Sequence, residues 1–531
     1  MTKNILFFSI DNLRFDCVGF QPDQSELEEH DALRFLQTPT LDAIAEKSLC
    51  FTQCISTNTY TTAAHASILT GLIPPRHGVR PFFDTTLNPE AATLAEILKE
   101  NGYRTILYTD TSWLFKQYIG LDRGFDLCET SDDAGLLGLL DDLREEKVFL
   151  FVHMYDVHEP FMHNTNNYRQ GSNDDYLQEM QALYDYCGFA GNFAAGSSTG
   201  EIWNRLVRTG PLSDRRLDAL LPLYVKGVSK FDSGRFAVFI DGLDQLGFLD
   251  DCLEVVFSDH GEGKCSQNNR SYFGHAGELF DDVIRVPLMI SHPDLKPGES
   301  GSLTSVVDIA PTALSLLGIG SGAADFNGTN CLSETRGSCY AENWISIDQL
   351  ENNLIDEQTL ATEVPVLPEC ALSQMALRTD KSKLVVWYRG DAQALLDSSG
   401  GLSNKQFIKA LYRELLGWPD AAAGIEQYLN PLDDGSLTRK ELVDRFLGLE
   451  QYKSRVPFRY DLRSDPGEEN PLTELDAADL PMVELIHEIN SQAVSTEKIF
   501  RRKTAAADKP DQANFPDELT VRRMLKDLGY F

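Results

Sequence analysis

Along the chain, short stretches that are apolar at nearly every position alternate with longer ones in which apolar residues return every three or four positions. The first kind comprises NILFFSI (4–10), TILYTD (105–110), KVFLFVHMY (147–155), LEVVFSD (253–259), VPLMIS (286–291) and SKLVVWY (382–388). The second comprises TPTLDAIAEKSL (38–49), EAATLAEILKENG (90–102), LYVKGVSKFDSGRFAVFIDGLDQLG (223–247) and VVDIAPTALSLLG (306–318). A strand that is apolar on both faces has to be covered on both, and strands separated by helices are the signature of parallel crossovers. The expected fold is therefore α/β, a mostly parallel sheet flanked by helices. In such sheets ligands bind beyond the carboxyl ends of the strands. Three of these strands run out into residues able to ligate a metal: Asp11, then Asp156 with His158, then Asp259 with His260.

A single Asp after a strand is ordinarily a turn former or cap. Three such ends rich in Asp and His ask for more. Asp259 and His260 are adjacent in SDHGE, so one backbone reversal can aim a carboxylate and an imidazole at the same cation. Carboxylate with neutral imidazole suits Zn, Mn or Fe better than Ca. HMYDVHEPF adds His153, Asp156, His158 and Glu159, and FGHAGE adds His275. Five of the ten histidines (65, 153, 158, 260 and 275) fall in these few segments.

Composition narrows the partners. A chain of 531 residues with 42% hydrophobic content can bury a large core, and 47 basic against 81 acidic residues give a net charge of −34. Such a surface repels nucleic acid and anionic lipid, so neither is expected as a partner. The opening MTKNILFFSID is too short an apolar run, too soon followed by an acid, for a signal peptide or a membrane span. The ten cysteines form no CxxC pair, as expected of reduced structural thiols. A cytoplasmic protein without a membrane span is the expectation.

TNTYTTAAHASILTG (57–71) reads as a small-residue loop entering a helix. Thr61 falls in the first turn, where free N–H groups and the helix dipole favour an anion. His65, four residues on, shares its face and could orient it or contact a transferring group. A threonine hydroxyl needs activation by a metal or a base to act as a nucleophile. The alternative is a capping threonine and a core histidine.

The strings ILFFSIDNLRFDCVG, TPTLDAIAEKSLCFTQCIS, TTAAHASILTGLIPPRHGV, LAEILKENGYRT, GLDRGFD, FLFVHMYDVHEPF, SDHGE, GHAGELFDDVIRVPLMI, VVDIAPTALSLLG and YDLRSDPGEENPL occur in the order seen in sulfatases of the alkaline phosphatase superfamily. The closing DLGYF resembles that family's end. The resemblance covers residue 1 to about 400 and about 455 to the C-terminus. It implies an alkaline-phosphatase-like sheet with a smaller C-terminal α+β subdomain. Sulfatases place Cys-x-Pro-Ser-Arg ahead of a Thr-Gly pair and convert the cysteine to formylglycine. Here Thr61 stands for the cysteine, Ala63 for the proline, Ala64 for the serine and His65 for the arginine. CISTN around Cys54 lacks the proline and arginine, so formylglycine chemistry is not expected.

Further departures point the same way. Asp11 is followed by Asn12 rather than a second acid, LYTDTSW carries no sulfate-holding lysine, and Asp259-His260 stands where many calcium sulfatases have Asp-Asn. These features resemble the superfamily's threonine-nucleophile phosphonate monoester hydrolases and phosphodiesterases. The implied enzyme cleaves phosphate mono- or diesters or phosphonate esters, small or glycan-linked; a sulfate ester hydrolase and a non-catalytic glycan- or partner-binding protein are the alternatives. A divalent metal, Mn or Zn rather than Ca, would be held by Asp11, Asp259, His260 and Thr61 with help from Asn12. His158 and His275 would bind nonbridging oxygens or protonate the leaving group, and Asp156 with these histidines is the candidate for a second metal. The expected domains are a catalytic 1–335 with a lid insertion at 162–220, a C-terminal subdomain of 336–403 and 453–531, and an inserted helical domain at 404–452. That insertion resembles a small bacterial domain of unknown function. Its NPLDDGSLTRKEL lacks the acids of an EF-hand loop.

Overall fold

The computed structural model describes residues 3–21, 24–80, 86–115, 119–130, 132–158, 214–263, 274–275, 279–320, 322, 324–343, 374–387, 392–416, 422–448, 457–468, 470–476 and 479–491. The lid expected at 162–220 lies almost wholly outside these residues, as do Glu159 and the closing DLGYF.

The first of two compact units is built on a nine-stranded sheet. Its strands are β1 (Asn4–Ile10), β2 (Leu49–Ile55), β3 (Arg104–Thr109), β4 (Leu127–Glu129), β5 (Val148–Met154), β6 (Cys252–Phe257), β7 (Arg285–Ser291), β8 (Gly298–Ser300) and β9 (Thr304–Ser305). They lie in the order β4-β3-β5-β1-β6-β7-β2-β8, with β9 also paired to β2. All pairings are parallel except the two made by β7. The expected mostly parallel sheet is therefore present, and β5, β1 and β6, the strands that end in Asp and His, are neighbours at its centre.

The strands are apolar throughout because both faces are buried. On one face Phe7 packs edge-on to Phe149 and Phe257, while Phe8 turns to the other face and packs on Phe236 and Phe239. With a side-chain period of two, Ser9 shares the face of Phe7, and the register sets it opposite His153 of β5. β2 escapes the pattern of apolar runs because the polar pair Thr52 and Gln53 sits in its middle.

The long helical pattern at 223–247 is a helix of Asp214–Phe231, a π-helical turn of Asp232–Phe236 and a helix of Ala237–Gln245. The π turn holds Gly234 at φ −106°, ψ −107° and inserts an extra residue into the ladder. It aims Asp232 outward to accept from the backbone N–H groups of Thr40 and Leu41 at 2.9 Å, capping the helix Pro39–Glu46.

The second unit contains a sheet ordered β10 (Cys339–Asn343), β11 (Gln374–Arg378), β12 (Ser382–Trp387) and β13 (Phe458–Asp461), with β11, β12 and β13 paired antiparallel. Within it the helices Ala392–Ser398, Asn404–Leu416, Ala422–Asp433 and Arg439–Leu447 enclose a core of their own around Phe407, Leu411, Leu442 and Phe446. Among the described residues no helix is long and apolar enough to cross a membrane.

Candidate active site and metal centre

Beyond the carboxyl ends of β1 and β6, Asp11, Asp259 and His260 converge, each fully buried, with one ligand atom apiece lying within 4.8 Å of the others. The local chain explains the convergence. Asn12 adopts the left-handed conformation at φ 63°, which Asn tolerates better than most residues and which turns the backbone sharply after β1. That turn brings the Asn12 N–H to Asp259 Oδ1 at 3.3 Å, and the Ser258 hydroxyl accepts from Leu13 N–H at 3.0 Å. Gly261 is needed for close approach: a Cβ there would lie 2.2 Å from the Asp282 carbonyl oxygen. Its N–H donates to Val283 O at 2.7 Å, which fixes the loop just after His260.

Thr61 is the first residue of the helix Thr61–Thr70, after Tyr60 at the N-cap. Its hydroxyl makes no cap; it sits 3.4 Å from Asp11 Oδ2 and 3.3 Å from His260 Nε2, inside the cluster. His65, one turn on, has both ring nitrogens engaged: Nδ1 lies 2.7 Å from Thr61 O and Nε2 2.9 Å from Ser9 Oγ. Cys54 is buried in β2, where burial pushes its thiol well above the ordinary range.

Polarity follows from the acceptors. The Thr61 carbonyl can only accept, so His65 Nδ1 donates to it. Burial, reinforced by His153, holds the His65 pKa down to about 3, so the ring is neutral and its Nε2 accepts from the Ser9 hydroxyl. Ser9 in turn accepts from His153 Nδ1 at 3.2 Å, and His153, held by burial to about 4, turns Nε2 to Asp11 Oδ2 at 3.1 Å. The Asp11 carboxyl is pushed well above its ordinary range by burial and by the Asp259 charge. Asp259 is instead held low, because the nearby His260, His65 and His153 outweigh its burial.

The donor set fits a divalent cation. Asp11 Oδ1, Asp259 Oδ2 and Asn12 Oδ1 are buried oxygens without a hydrogen-bond partner, which is costly unless something else satisfies them. Two buried carboxylates at such close range also repel each other, and a cation between them relieves that. Asn12 is oriented by its amide donating to Glu262 Oε2 at 2.7 Å.

His158 and His275 stand together beside this cluster. Their rings meet edge-on with centroids 5.1 Å apart, His158 stacks on Tyr155 at 4.1 Å, and His275 stacks on His260 at 4.5 Å. Burial lowers the His275 pKa, but Glu262, 3.6 Å from its Nδ1, and the charges of Asp11 and Asp259 raise it further, to a net value above the ordinary one. Asp156 is placed elsewhere. It accepts from Arg235 Nη1 at 2.7 Å, in a group where Arg235 also binds Asp110 at 2.6 Å and Asp133 at 2.8 Å. A guanidinium thus takes the Asp156 Oδ2.

Four contributors escaped the sequence reading. Ser9 could have been noticed as the only hydroxyl in an apolar strand, and Glu262 as part of SDHGE. Asp110 carried the same signal as Asp11, an acid closing an apolar run, whereas Arg235 carried none, because a π turn brings it in.

The chain matches the sulfatase family over residues 3–319 and a domain of unknown function, DUF4214, over residues 393–454. It is 24% identical over 338 residues to the ulvan-active sulfatase of Formosa agariphila, covering 60% of this chain and 61% of that protein, less than two thirds of its length. It is 22% identical over 456 residues to the endo-4-O-sulfatase of Bacteroides thetaiotaomicron, covering 77% and 82% of the two chains. Among solved structures it is similar to the phosphonate monoester hydrolase of Agrobacterium radiobacter, with a TM-score of 0.56, 18% identity, and coverage of 93% of this chain and 96% of that one.

Proposed function

The chain belongs to the sulfatase family, an ester hydrolase on an alkaline-phosphatase-like fold, and from that premise we propose that it hydrolyses phosphate or phosphonate esters with Thr61 as the nucleophile. The observation that carries the reading is the Thr61 hydroxyl, which caps nothing and stands 3.3 Å from His260 and 3.4 Å from Asp11 at the sequence position of the family's nucleophile.

Asp11, Asp259 and His260, with Asn12, would hold a divalent cation, and the mixed carboxylate and imidazole donors favour Mn or Zn over Ca. When bound, the cation lowers the pKa of a nearby hydroxyl and neutralises charge building on the substrate. The rest is done by the chain. Thr61 Oγ1 attacks phosphorus, its proton leaves to solvent, and the bond from phosphorus to the ester oxygen breaks. His275, whose pKa Glu262 raises, gives its proton to the departing alkoxide, and His158 meets a nonbridging oxygen. Water then attacks the phosphothreonine ester, the Thr61–phosphorus bond breaks, and the hydroxyl is restored. His65 has no free nitrogen for the substrate and serves to hold the Thr61 backbone and Asp259.

A second reading, hydrolysis of glycan-linked sulfate esters by the same threonine, is favoured by the relatives named as an ulvan-active sulfatase and an endo-4-O-sulfatase. One experiment separates the two. Aryl phosphate monoesters, diesters, phosphonates and sulfates are turned over with Mn or Zn present, quenched in acid, and the Thr61 peptide is weighed. A phosphoryl or phosphonyl adduct with phosphorus substrates turned over fastest is expected, and faster sulfate turnover would give the second reading. Full turnover by a folded Thr61→Ala variant would remove Thr61 from the chemistry.

A further inference from the structure

Ser9 is a hydroxyl near the carboxyl end of a largely apolar central strand, fully buried, and its two partners are both imidazoles. Each of those rings turns its other nitrogen toward one of the two acids of the cation site, His153 Nε2 to Asp11 Oδ2 at 3.1 Å and His65 Nδ1 to Asp259 Oδ2 at 3.6 Å. The rings are wedged: His65 packs edge-on to His153 at 4.6 Å and to Phe115 at 5.0 Å, and Phe115 lies 5.4 Å from His153. His65 is also tied to the Thr61 carbonyl at 2.7 Å. Ser9 therefore joins the two rings that stand against the two acids of the cation site.

We propose that Ser9 is a positioning residue for the metal centre: its hydroxyl selects the tautomers of His65 and His153 and so holds Asp11 and Asp259 at the separation a divalent cation requires. The argument is one of shape and donor count. A hydroxyl donates one proton and accepts another, so it alone among small side chains can join two imidazoles of fixed sense. Remove the oxygen and both rings lose the partner that sets their rotation. The two carboxylates are then free to move apart, as happens when outer partners of metal ligands are lost.

The inference rests on the reading of Asp11, Asp259 and His260 as a cation site, and the test keeps the two apart by measuring binding rather than turnover. Mn2+ alone is titrated into the chelator-stripped chain. If the unaltered chain binds no Mn2+, the cation-site reading fails. If it binds, Ser9→Ala is expected to weaken binding by about 10–100-fold, the usual effect of losing an outer-shell partner, with Ser9→Thr restoring most of the affinity. Equal affinity in folded Ser9→Ala, even with a lowered melting temperature, overturns the proposal and leaves Ser9 merely structural. Imidazole 15N shifts of the unaltered protein supply a measurement that needs no variant: His65 is expected with its proton on Nδ1 and a bare Nε2, and the opposite tautomer overturns the proposal.

Discussion

Replacing Arg235 by methionine isolates what the π turn contributes. The guanidinium donates to Asp133 at 2.8 Å through Nε and again through Nη2, to Asp110 at 2.6 and 3.0 Å, and to Asp156 at 2.7 Å. Its side chain is 9% exposed, Asp110 is fully buried and Asp156 nearly so. Arg235→Met keeps the apolar stem but leaves three acids with no counter-charge, two of them in the interior. Breaking a buried ion pair from one side costs about 3–5 kcal/mol. With an unfolding entropy near 2.1 cal/mol/K per residue, a cooperative unit of about 300 residues loses roughly 5–8 °C of melting temperature. The pH dependence has a definite sign. Even beside Arg235, burial raises the Asp156 pKa to about 7, and without the arginine Asp156 titrates higher still. An acid with a raised folded pKa binds its proton more tightly in the folded state, so stability is full below the unfolded value near 3.9 and is lost as pH rises through the folded one. The deficit of Arg235→Met relative to the unaltered protein must therefore be larger at pH 8 than at pH 5.5. Thermal melts followed by circular dichroism at both values read this directly. A variant that melts within 1–2 °C of the parent at pH 8, about 1 kcal/mol or less on the same scale, or a deficit that shrinks with rising pH, would refute the reasoning.

Three further outcomes are expected. Gly261→Ala, whose Cβ would meet the Asp282 carbonyl at 2.2 Å, has to displace the loop after His260, and its Mn2+ affinity, measured by titration, is expected to fall at least about tenfold as a ligand leaves its place. After chelation, Mn or Zn is expected to restore turnover better than Ca, because imidazole and carboxylate together suit the transition metals; equal recovery with Ca would count against His260 as a ligand. Excising the helical segment 392–452 with a short flexible linker is expected to leave hydrolysis of small aryl esters largely intact, since those helices enclose a core of their own, and a folded but inactive deletion would assign the segment to catalysis.

The hydrophobic pattern alone determined the α/β class, because a strand buried on both faces has few polar positions and a helix between such strands leaves a period near 3.6. It located β1, β3, β5, β6, β7 and β12, and it named Asp11, Asp259 and His260 before any coordinates, because strand ends are where a parallel sheet opens to ligands. β2 stayed hidden because Thr52 and Gln53 interrupt its apolar run. Adjacency was decided by the tertiary structure. No local pattern says that β5, β1 and β6 lie side by side, and only that order puts Ser9 opposite His153. Asp156 shows the same limit from the other side: its sequence neighbours suggested a metal ligand, whereas a guanidinium carried in by a π turn from 79 residues away takes its oxygen. Periodicity records which side of an element is buried, but the partner that satisfies a buried charge is chosen by long-range packing, which leaves no period in the chain.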